Sequence, residues 1–486
     1  MLKITTKIGL LFLLFATHLN AQLFLSEYHQ MLADSMGKPF FWLGDTDWEM
    51  FHRLNREEAA DFIQLRSEQG FNVLMIATLA EEQGIRSPNR YGDYPINNED
   101  PTQFLITPGA NPDNAYEYDY WDHVDYIIDL AAKHHMYIGL LPTWGDKVAR
   151  LWGKGPVIFD ANNARKYGAL LAQRYANRQN ILWILGGDRL PVYDGIYDGE
   201  KQKGNDIALW RAMAEGIESV LGNDAFITYH PSGGKIRTSD FFHQESWLDM
   251  NAFQSGHGAR ESDPWNWVSA DLSMNPKKPT LDLEPCYEDH PVNPWDGKWT
   301  RSGRGYFDAY NVRARIYRTV FAGACGVSYG HHQVWQFLNE DLYPPINVGD
   351  TIIGWQKAAR SAAANEMIHL KNLMLSRPYF SRRADQSIIG TAIDSSYKEL
   401  IVAFRNEASS FAMIYLPHNK EVKIDLSKIN GKLKYIWWYD PRTGATTSEK
   451  PRKGNKIETF IPPSTGKDWV LVIDDAFKGY AAPGKF

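Results

Sequence analysis

Residues 181–190 read ILWILGGDRL, and this stretch decides the fold class. Its first five residues are apolar, as is typical of a strand buried on both faces of a sheet. Two glycines, Asp188 and Arg189 then follow within the same stretch. Two interpretations fit that ending. Asp188 either caps a following helix, or it is a catalytic acid held at the mouth of a pocket.

The same pattern of an apolar strand with a polar tip recurs between residues 40 and 340. Seven more stretches show it: 39–49, 71–82, 136–147, 225–234, 250–258, 279–290 and 326–335. Helix-like stretches at 56–70 and 121–135 lie between them, and the second has apolar residues at the spacing of one buried helix face. Alternating strands and helices predict an α/β protein, with a (β/α)8 TIM barrel over residues 22–375.

The residues at the strand tips favour the barrel over a doubly wound sheet. Polar, aromatic and charged side chains follow nearly every predicted strand at its carboxyl end. In a (β/α)8 barrel that rim carries the active site, whereas a doubly wound sheet needs such residues only at its switch point.

After about residue 380 the pattern changes to short strands without helices between them. The segments 387–394, 399–406, 411–417, 421–427, 433–441, 456–463 and 468–474 are separated by turn residues such as Asn430-Gly431. They predict a β-sandwich domain over residues 376–486, joined through a helical stretch at 354–375. Glycan binding and packing against the barrel both fit this domain, and packing is favoured.

The first 21 residues have the layout of a secretory signal. Lys3 and Lys7 precede an apolar stretch over 8–16, and small residues end at Ala21. They predict an exported protein, periplasmic or extracellular, with no later stretch long enough to span a membrane. Export permits a disulfide between Cys286 and Cys325, and two buried free thiols fit the sequence equally well.

Composition excludes several classes of function. The net charge of −6 argues against nucleic-acid binding. The sequence has no nucleotide-binding glycine loop and no Gly-x-Ser-x-Gly elbow. It also has no metal-ligand spacing, because the adjacent histidines at 134–135 and 331–332 point their rings in different directions. The sequence therefore predicts no cofactor and no metal. Its 17 Trp and 25 Tyr suit a carbohydrate-binding cleft.

Two carboxylates stand out at the predicted rim. Asp188 ends the fourth strand and Glu284 ends the seventh, so they lie across the barrel mouth and can reach one ligand. Glycoside hydrolysis needs such a pair, one carboxyl to protonate the leaving oxygen and one to attack or to activate water. The structural alternative is a helix cap at Asp188 and an ion pair of Glu284 with Arg189 or Arg313. Placement on these two strands favours catalysis.

Other residues at the rim are candidate sugar contacts. Donors that could read hydroxyl groups or a galacturonate end several strands, and Trp144 could stack on a sugar. Tyr287 could donate a hydrogen bond to the nucleophile. For each there is also a structural role, such as a turn at Asp45 or an aromatic lid at Trp144. The candidates are Asp45, Trp144, Asp146, Lys147, His230, Gln254, His257, Tyr287 and His332.

The chain resembles the apiosidase-like glycoside hydrolases, glycoside hydrolase family 140, which act on the pectin rhamnogalacturonan II. The resemblance covers residues 25–475 and rests on FWLGDTDWEMFHRLNREEA, GLLPTWGDK, WILGGDR, FQSGHG, EPCYEDHPVN and AGACGVSYGHH. It implies a barrel followed by a β-sandwich, with Asp188 as acid/base and Glu284 as nucleophile. Asp47 and Leu283 depart from the family pattern, and neither belongs to the catalytic pair.

These observations together predict an exported retaining glycosidase that cleaves an apiose-containing linkage, apiosyl-galacturonic acid, in a pectic oligosaccharide or polysaccharide. Two alternatives remain open. One is a glycosidase of other sugar specificity on the same barrel, and the other is a non-catalytic glycan-binding protein. The presence of both strand-tip carboxylates favours an enzyme.

Overall fold

A computed structural model describes residues 23–26, 30–293, 298–350, 352–391, 396 and 399–486. The predicted signal peptide at 1–21 lies outside these residues. The strands up to residue 375 are β1 (Phe24–Leu25), β2 (Leu32–Ala33), β3 (Pro39–Phe40), β4 (Trp42–Thr46), β5 (Val73–Ala77), β6 (Tyr137–Leu141), β7 (Ile181–Gly186), β8 (Val192–Tyr197), β9 (Glu200–Asn205), β10 (Ile227–His230), β11 (Asn251–Phe253), β12 (Thr280–Asp282) and β13 (Gly326–Tyr329). The helices are α1 (Met50–Arg53), α2 (Arg56–Glu68), α3 (Tyr120–Lys133), α4 (Ala161–Tyr175), α5 (Ile207–Leu221), α6 (Ser239–Phe242), α7 (Pro264–Ser273), α8 (Ala309–Phe321), α9 (Trp355–Ala358) and α10 (Ala362–Leu375).

Each predicted strand of the first part is present, and at least one helix follows each of them. Six form a parallel sheet in the order β10-β7-β6-β5-β4-β13, and β11 pairs with β12 in parallel. A parallel bridge between Thr228 and Met250 connects β10 to the start of β11. The Cys325 N–H donates to Thr280 O at 3.1 Å, which connects β12 to β13. In this sheet each strand pairs with the next one along the chain, from β4 through β5, β6 and β7 to β10. A doubly wound sheet would reverse the strand order at its switch point, so this order argues against that alternative.

Burial explains the apolar runs and the helix boundaries. Every residue of β4, β5, β6 and β7 is buried, as expected for strands covered on both faces. Helix α3 buries its apolar stripe, which includes Val124, Ile127 and Ile128. A capping box at Asp119, which accepts hydrogen bonds from the first helical N–H groups, fixes the start of this helix.

The C-terminal part consists of antiparallel sheets. Its strands are β14 (Arg382–Ala384), β15 (Val402–Asn406), β16 (Phe411–Leu416), β17 (Val422–Asp425), β18 (Leu433–Tyr439), β19 (Thr446–Ser448), β20 (Arg452–Lys453), β21 (Ile457–Phe460) and β22 (Trp469–Asp475). One sheet has the order β14-β15-β16-β22-β18-β19 with β20 on β18, and β17 pairs with β21. The predicted strand at 387–394 is wrong at its start, because Gln386–Ile388 forms a 3-10 turn; 392–394 lie outside the described residues.

Side chains of helix α8 contact the C-terminal part of the chain. Its Arg313 makes a bidentate ion pair with Asp468, with Nε and Nη2 at 2.8 and 2.7 Å from the carboxylate oxygens. Tyr310 donates to Pro417 O at 2.7 Å. These partners are a long way apart along the chain, so the contacts pack the C-terminal sheets against the helical layer of the parallel sheet.

Cys286 and Cys325 are both buried free thiols. No helix within the described ranges is long and apolar enough to cross a bilayer. Over the same ranges, no three His, Cys, Asp or Glu side chains are grouped so as to hold a metal ion.

Candidate active site

A cleft of about 1130 Å³ opens where the carboxyl ends of the parallel strands meet. Its walls come from the segments that follow β5, β6, β7, β10, β11, β12 and β13. Residues with polar or aromatic side chains in the wall include Glu81, Trp152, Asp188, Gln254, His257 and Glu284. Both predicted catalytic carboxylates therefore lie in one cleft.

A tight turn brings Asp188 to the wall of the cleft. Gly186, Gly187 and Asp188 have φ values of +92°, +83° and +52°. A Cβ on Gly186 would lie 2.3 Å from His230 O, and one on Gly187 would lie 2.9 Å from Gly145 N. Only glycine fits both the conformation and the space at these two positions. The hairpin β8–β9, and not a helix, follows this turn, so the helix-cap interpretation of Asp188 is wrong.

The Asp188 carboxyl is held on one side by an indole. Trp152 Nε1 donates to Asp188 Oδ2 at 2.7 Å. The side chain is 20% exposed, at the cleft. Burial, and after it the negative charge of Glu284, raises the pKa of Asp188 to about 6, against the opposing effects of Arg189, His230 and Trp152. Asp188 is therefore a carboxyl that keeps its proton in mildly acidic solution.

Arg189 anchors the same turn. Its guanidinium donates to three backbone carbonyl oxygens, those of Asp188 at 2.7 Å, Ala149 at 2.9 Å and Arg150 at 3.2 Å. Nη1 also lies 3.7 Å from Asp188 Oδ2. Arg189 thus both fixes the loop after β6 against the end of β7 and faces the Asp188 carboxylate.

Three nitrogen atoms surround the Glu284 carboxylate. Gln254 Nε2 donates to Oε1 at 2.8 Å. His257 Nε2 lies 3.0 Å from Oε1, and His230 Nε2 lies 3.2 Å from Oε2. His230 Nδ1 accepts the Asp188 N–H at 2.9 Å, and His257 Nδ1 accepts the Tyr287 N–H at 3.2 Å. Each neutral imidazole therefore carries its proton on Nε2, facing Glu284.

These contacts keep Glu284 ionised. Burial alone would raise its pKa, but the hydrogen bonds offered by His230 and His257 outweigh burial and lower the pKa to about 2. The pKa values of Glu284 and Asp188 thus shift in opposite directions. Two carboxyls with environments of this kind can serve as an anionic nucleophile and a proton donor at the same pH.

Further aromatic residues support the Glu284 side of the cleft. The Tyr287 hydroxyl accepts a hydrogen bond from Trp48 Nε1 at 2.9 Å. His257 stacks on His290 at a centroid distance of 4.0 Å, and His290 contacts His332 at 4.4 Å. Burial lowers the pKa of His332 to about 4, so its ring is neutral near pH 6. Tyr287 and His332 lie behind the cleft wall and support the residues that form it.

Four of the predicted sugar contacts, like His230, Tyr287 and His332, are not among the residues that line this cleft, and these four have other buried neighbours. Asp45 is fully buried in β4 and forms an ion pair with Arg66. Asp146 and Lys147 are fully buried and form an ion pair at 2.7 Å. Trp144 is buried, with its ring 5.0 Å from that of Trp48. Each charged residue turned inward because a partner of opposite charge was available there.

Other residues of the cleft are absent from the predicted set, above all Trp152. Glu81 also lines the cleft, where burial and the neighbouring Glu82 raise its pKa well above the usual value. The hairpin was missed too, although Asp198-Gly199 between alternating residues is a signal for a tight two-residue turn. Both turn residues have positive φ, +48° and +79°.

Residues 26–381 match the family described as "Apiosidase-like, catalytic domain". The chain belongs to this family. Residues 384–474 match the family described as "Putative collagen-binding domain of a collagenase". A comparison with curated proteins found no match.

Two solved structures resemble the chain over nearly its whole length. One is a glycoside hydrolase family 5 protein from Bacteroides vulgatus, with 32% identity over 95% of both chains and a TM-score of 0.81. The other is described as a glycoside hydrolase, with 32% identity over 95% of this chain and 98% of the other, and a TM-score of 0.80. Together with the family match, they confirm the prediction of a glycoside hydrolase.

Proposed function

We propose that the protein is a retaining glycoside hydrolase that cleaves the apiosyl-galacturonic acid linkage of rhamnogalacturonan II. Asp188 is the acid/base and Glu284 the nucleophile. The observation that carries this proposal is that the two carboxyls line one cleft in different surroundings, Glu284 among three side-chain nitrogen atoms and Asp188 beside the Trp152 indole.

The chemistry follows from that difference. Asp188 gives its proton to the glycosidic oxygen while a Glu284 oxygen attacks the anomeric carbon, so the leaving sugar departs with the electrons of the broken C–O bond. Asp188 is then a carboxylate that takes a proton from water, and the resulting hydroxide oxygen displaces Glu284. The neutral imidazoles of His230 and His257 and the Gln254 amide hold Glu284 in place. They remain in contact with Glu284 when its negative charge is lost in the covalent intermediate and restored on hydrolysis.

The finer assignment to glycoside hydrolase family 140 and to a closed (β/α)8 barrel is part of the same proposal. The bridge at Thr228 and the hydrogen bond at Cys325 support closure of the barrel.

Lys154 and Lys235 line the cleft and offer cations to a galacturonate carboxylate. The C-terminal sheets are proposed to form a sandwich whose role is packing, supported by the Arg313–Asp468 pair.

The test is incubation with rhamnogalacturonan II oligosaccharides, with the released sugar and its first-formed anomer identified by NMR. We expect apiose released with retention, and we expect Asp188→Asn and Glu284→Gln each to lower kcat/KM by at least about 100-fold. Release of another sugar would replace the specificity and keep the mechanism. Near-native rates for either variant, or inversion at the anomeric carbon, would disprove the assigned mechanism.

Export is also proposed, from the predicted signal at residues 1–21. Expression of the full chain in a bacterium followed by mass spectrometry of the periplasmic and secreted fractions tests it. We expect a mature protein beginning at Gln22. An uncleaved chain confined to the cytoplasm would contradict the proposal.

A further inference from the structure

Trp152 contacts the Asp188 carboxyl from the loop between β6 and α4. Its side chain is exposed to 39% and forms part of the cleft wall. Its Nε1 donates to Asp188 Oδ2 at 2.7 Å. An indole N–H can donate but cannot accept a hydrogen bond. Oδ2 is therefore held as an acceptor, and the proton of the neutral carboxyl is directed to Oδ1.

The hairpin β8–β9 holds this indole in place. Gln202 exchanges two hydrogen bonds with the backbone of Leu151, each at 3.2 Å. The Tyr197 ring lies 6.0 Å from the Trp152 ring, and the Arg189 guanidinium lies 4.8 Å from its centroid. A tryptophan on an unsupported loop would not keep one hydrogen-bond geometry, so these contacts give the Trp152 donor a fixed direction.

Trp152 comes from the loop after β6, which neighbours β7 on one side, whereas the groups that surround Glu284 follow β10 and β11 on the other side of β7. Those groups, His230, Gln254 and His257, come from the ends of β10 and β11 and the segment after β11. An acid protonates the oxygen of the departing sugar, whereas the nucleophile attacks the sugar that stays bound. The exposed indole next to the acid therefore faces the leaving-group side of the cleft.

We propose that Trp152, supported by the hairpin β8–β9, is a positioning residue that keeps the reactive proton on Asp188 Oδ1 and offers the leaving-group sugar a stacking surface. The inference rests on the proposed function, in which Asp188 protonates the leaving oxygen. When the Oδ1 proton moves to that oxygen and the C–O electrons follow it, Asp188 becomes a carboxylate. The indole N–H then stabilises the new negative charge at Oδ2.

Other charged groups also face Asp188. Glu284 raises its pKa, while Arg189 and His230 lower it, and Glu81 lies close enough for its own pKa to be raised by Asp188. Trp152 adds a donor to the carboxylate form. Its replacement by phenylalanine keeps the flat ring but removes the donor, so we expect the Asp188 pKa of Trp152→Phe to rise above that of the wild type.

The first experiment needs no substrate. Protein labelled with ¹⁵N-tryptophan is titrated by TROSY NMR, and Trp152→Phe identifies the Trp152 indole signal. We expect that signal to shift with pH at a midpoint near the Asp188 pKa of about 6, and to lose the titration in Asp188→Asn. A pH-invariant Trp152 signal, or an unchanged titration in Asp188→Asn, would overturn the inference.

The second experiment compares leaving groups. Trp152→Phe and Trp152→Ala are assayed on a rhamnogalacturonan II oligosaccharide and on a 4-nitrophenyl apioside, whose phenol needs little protonation to leave. We expect kcat/KM of Trp152→Phe to fall roughly 10-fold or more on the oligosaccharide and to change less than about 3-fold on the aryl substrate. Trp152→Ala, which also removes the ring, should have the higher KM for the oligosaccharide. Trp437→Phe, in β18 of the C-terminal sheet, is the matched control and should behave as wild type.

The two proposals fail in different ways. If Asp188→Asn and Glu284→Gln stay active, or neither substrate is cleaved, the proposed function is wrong in mechanism or specificity, and the NMR titration alone decides the role of Trp152. If both variants are inactive while Trp152→Phe loses the same factor on both substrates, only the positioning role is overturned.

Discussion

Raising the pH should stop the enzyme by deprotonating Asp188. With a pKa of about 6, the carboxyl is about 90% protonated at pH 5 and about 1% protonated at pH 8, so kcat/KM should fall roughly 90-fold between these values. The slope above pH 6 should be one decade per pH unit. Glu284, with a pKa near 2, stays ionised throughout and contributes no limb in this range.

The assay is kcat/KM on a rhamnogalacturonan II oligosaccharide from pH 4 to pH 9, with thermal unfolding at each pH to show that the fold persists. Asp188→Asn should lose the alkaline limb along with most of its activity. Glu81→Gln is the matched control, because Glu81 is a second carboxyl of raised pKa in the cleft. A flat profile to pH 8, or a limb that disappears in Glu81→Gln and persists in Asp188→Asn, would refute the reasoning.

Three further predictions concern stability. Gly186→Ala should lower the free energy of unfolding by at least about 2 kcal/mol, because a Cβ at this position has no space. The control is Gly199→Ala, which has a similar φ but open space around it and should cost about 1 kcal/mol. Equal losses of stability in thermal unfolding would contradict this prediction. Burial, and after it the nearby Asp45 carboxylate, raises the pKa of Asp47, so ionisation of Asp47 destabilises the folded state as the pH rises above about 4. Asp47→Asn should therefore raise the melting temperature at pH 7 and give no such gain near pH 3. An equal gain at both pH values would refute this cause. Arg313→Met should lower the free energy of unfolding by about 3–5 kcal/mol, because it leaves the Asp468 carboxylate buried without its cation. The double variant Arg313→Met with Asp468→Asn should recover part of this loss. If the two substitutions have simply additive effects in chemical denaturation, the pair is not coupled.

Several features of this protein follow from local sequence alone. The apolar stretches predict the eight parallel strands because a strand buried on both faces must be apolar along its length. Their polar tips predict the functional edge, and Asp188 and Glu284 both lie there. Gln254 and His257, which follow β11, also line the cleft.

The partners of charged and aromatic side chains required the tertiary structure. Asp45 lies near the end of β4 and Asp146 follows β6, yet both are turned inward to buried cations. Sequence spacing does not show whether such a cation is within reach, and that decides whether a carboxylate is buried or exposed.

ILWILGGDRL by itself determines a buried strand, a turn that only glycines can make, and a carboxyl at its end. The function of that carboxyl depends on residues distant in sequence. Burial, and after it Glu284, raises the Asp188 pKa. His230 accepts the Asp188 N–H and faces the Glu284 carboxylate, and Trp152 donates to one Asp188 oxygen. The free energy of a proton depends on every charge and donor around the carboxyl, and folding brings those groups together from separate strands and loops.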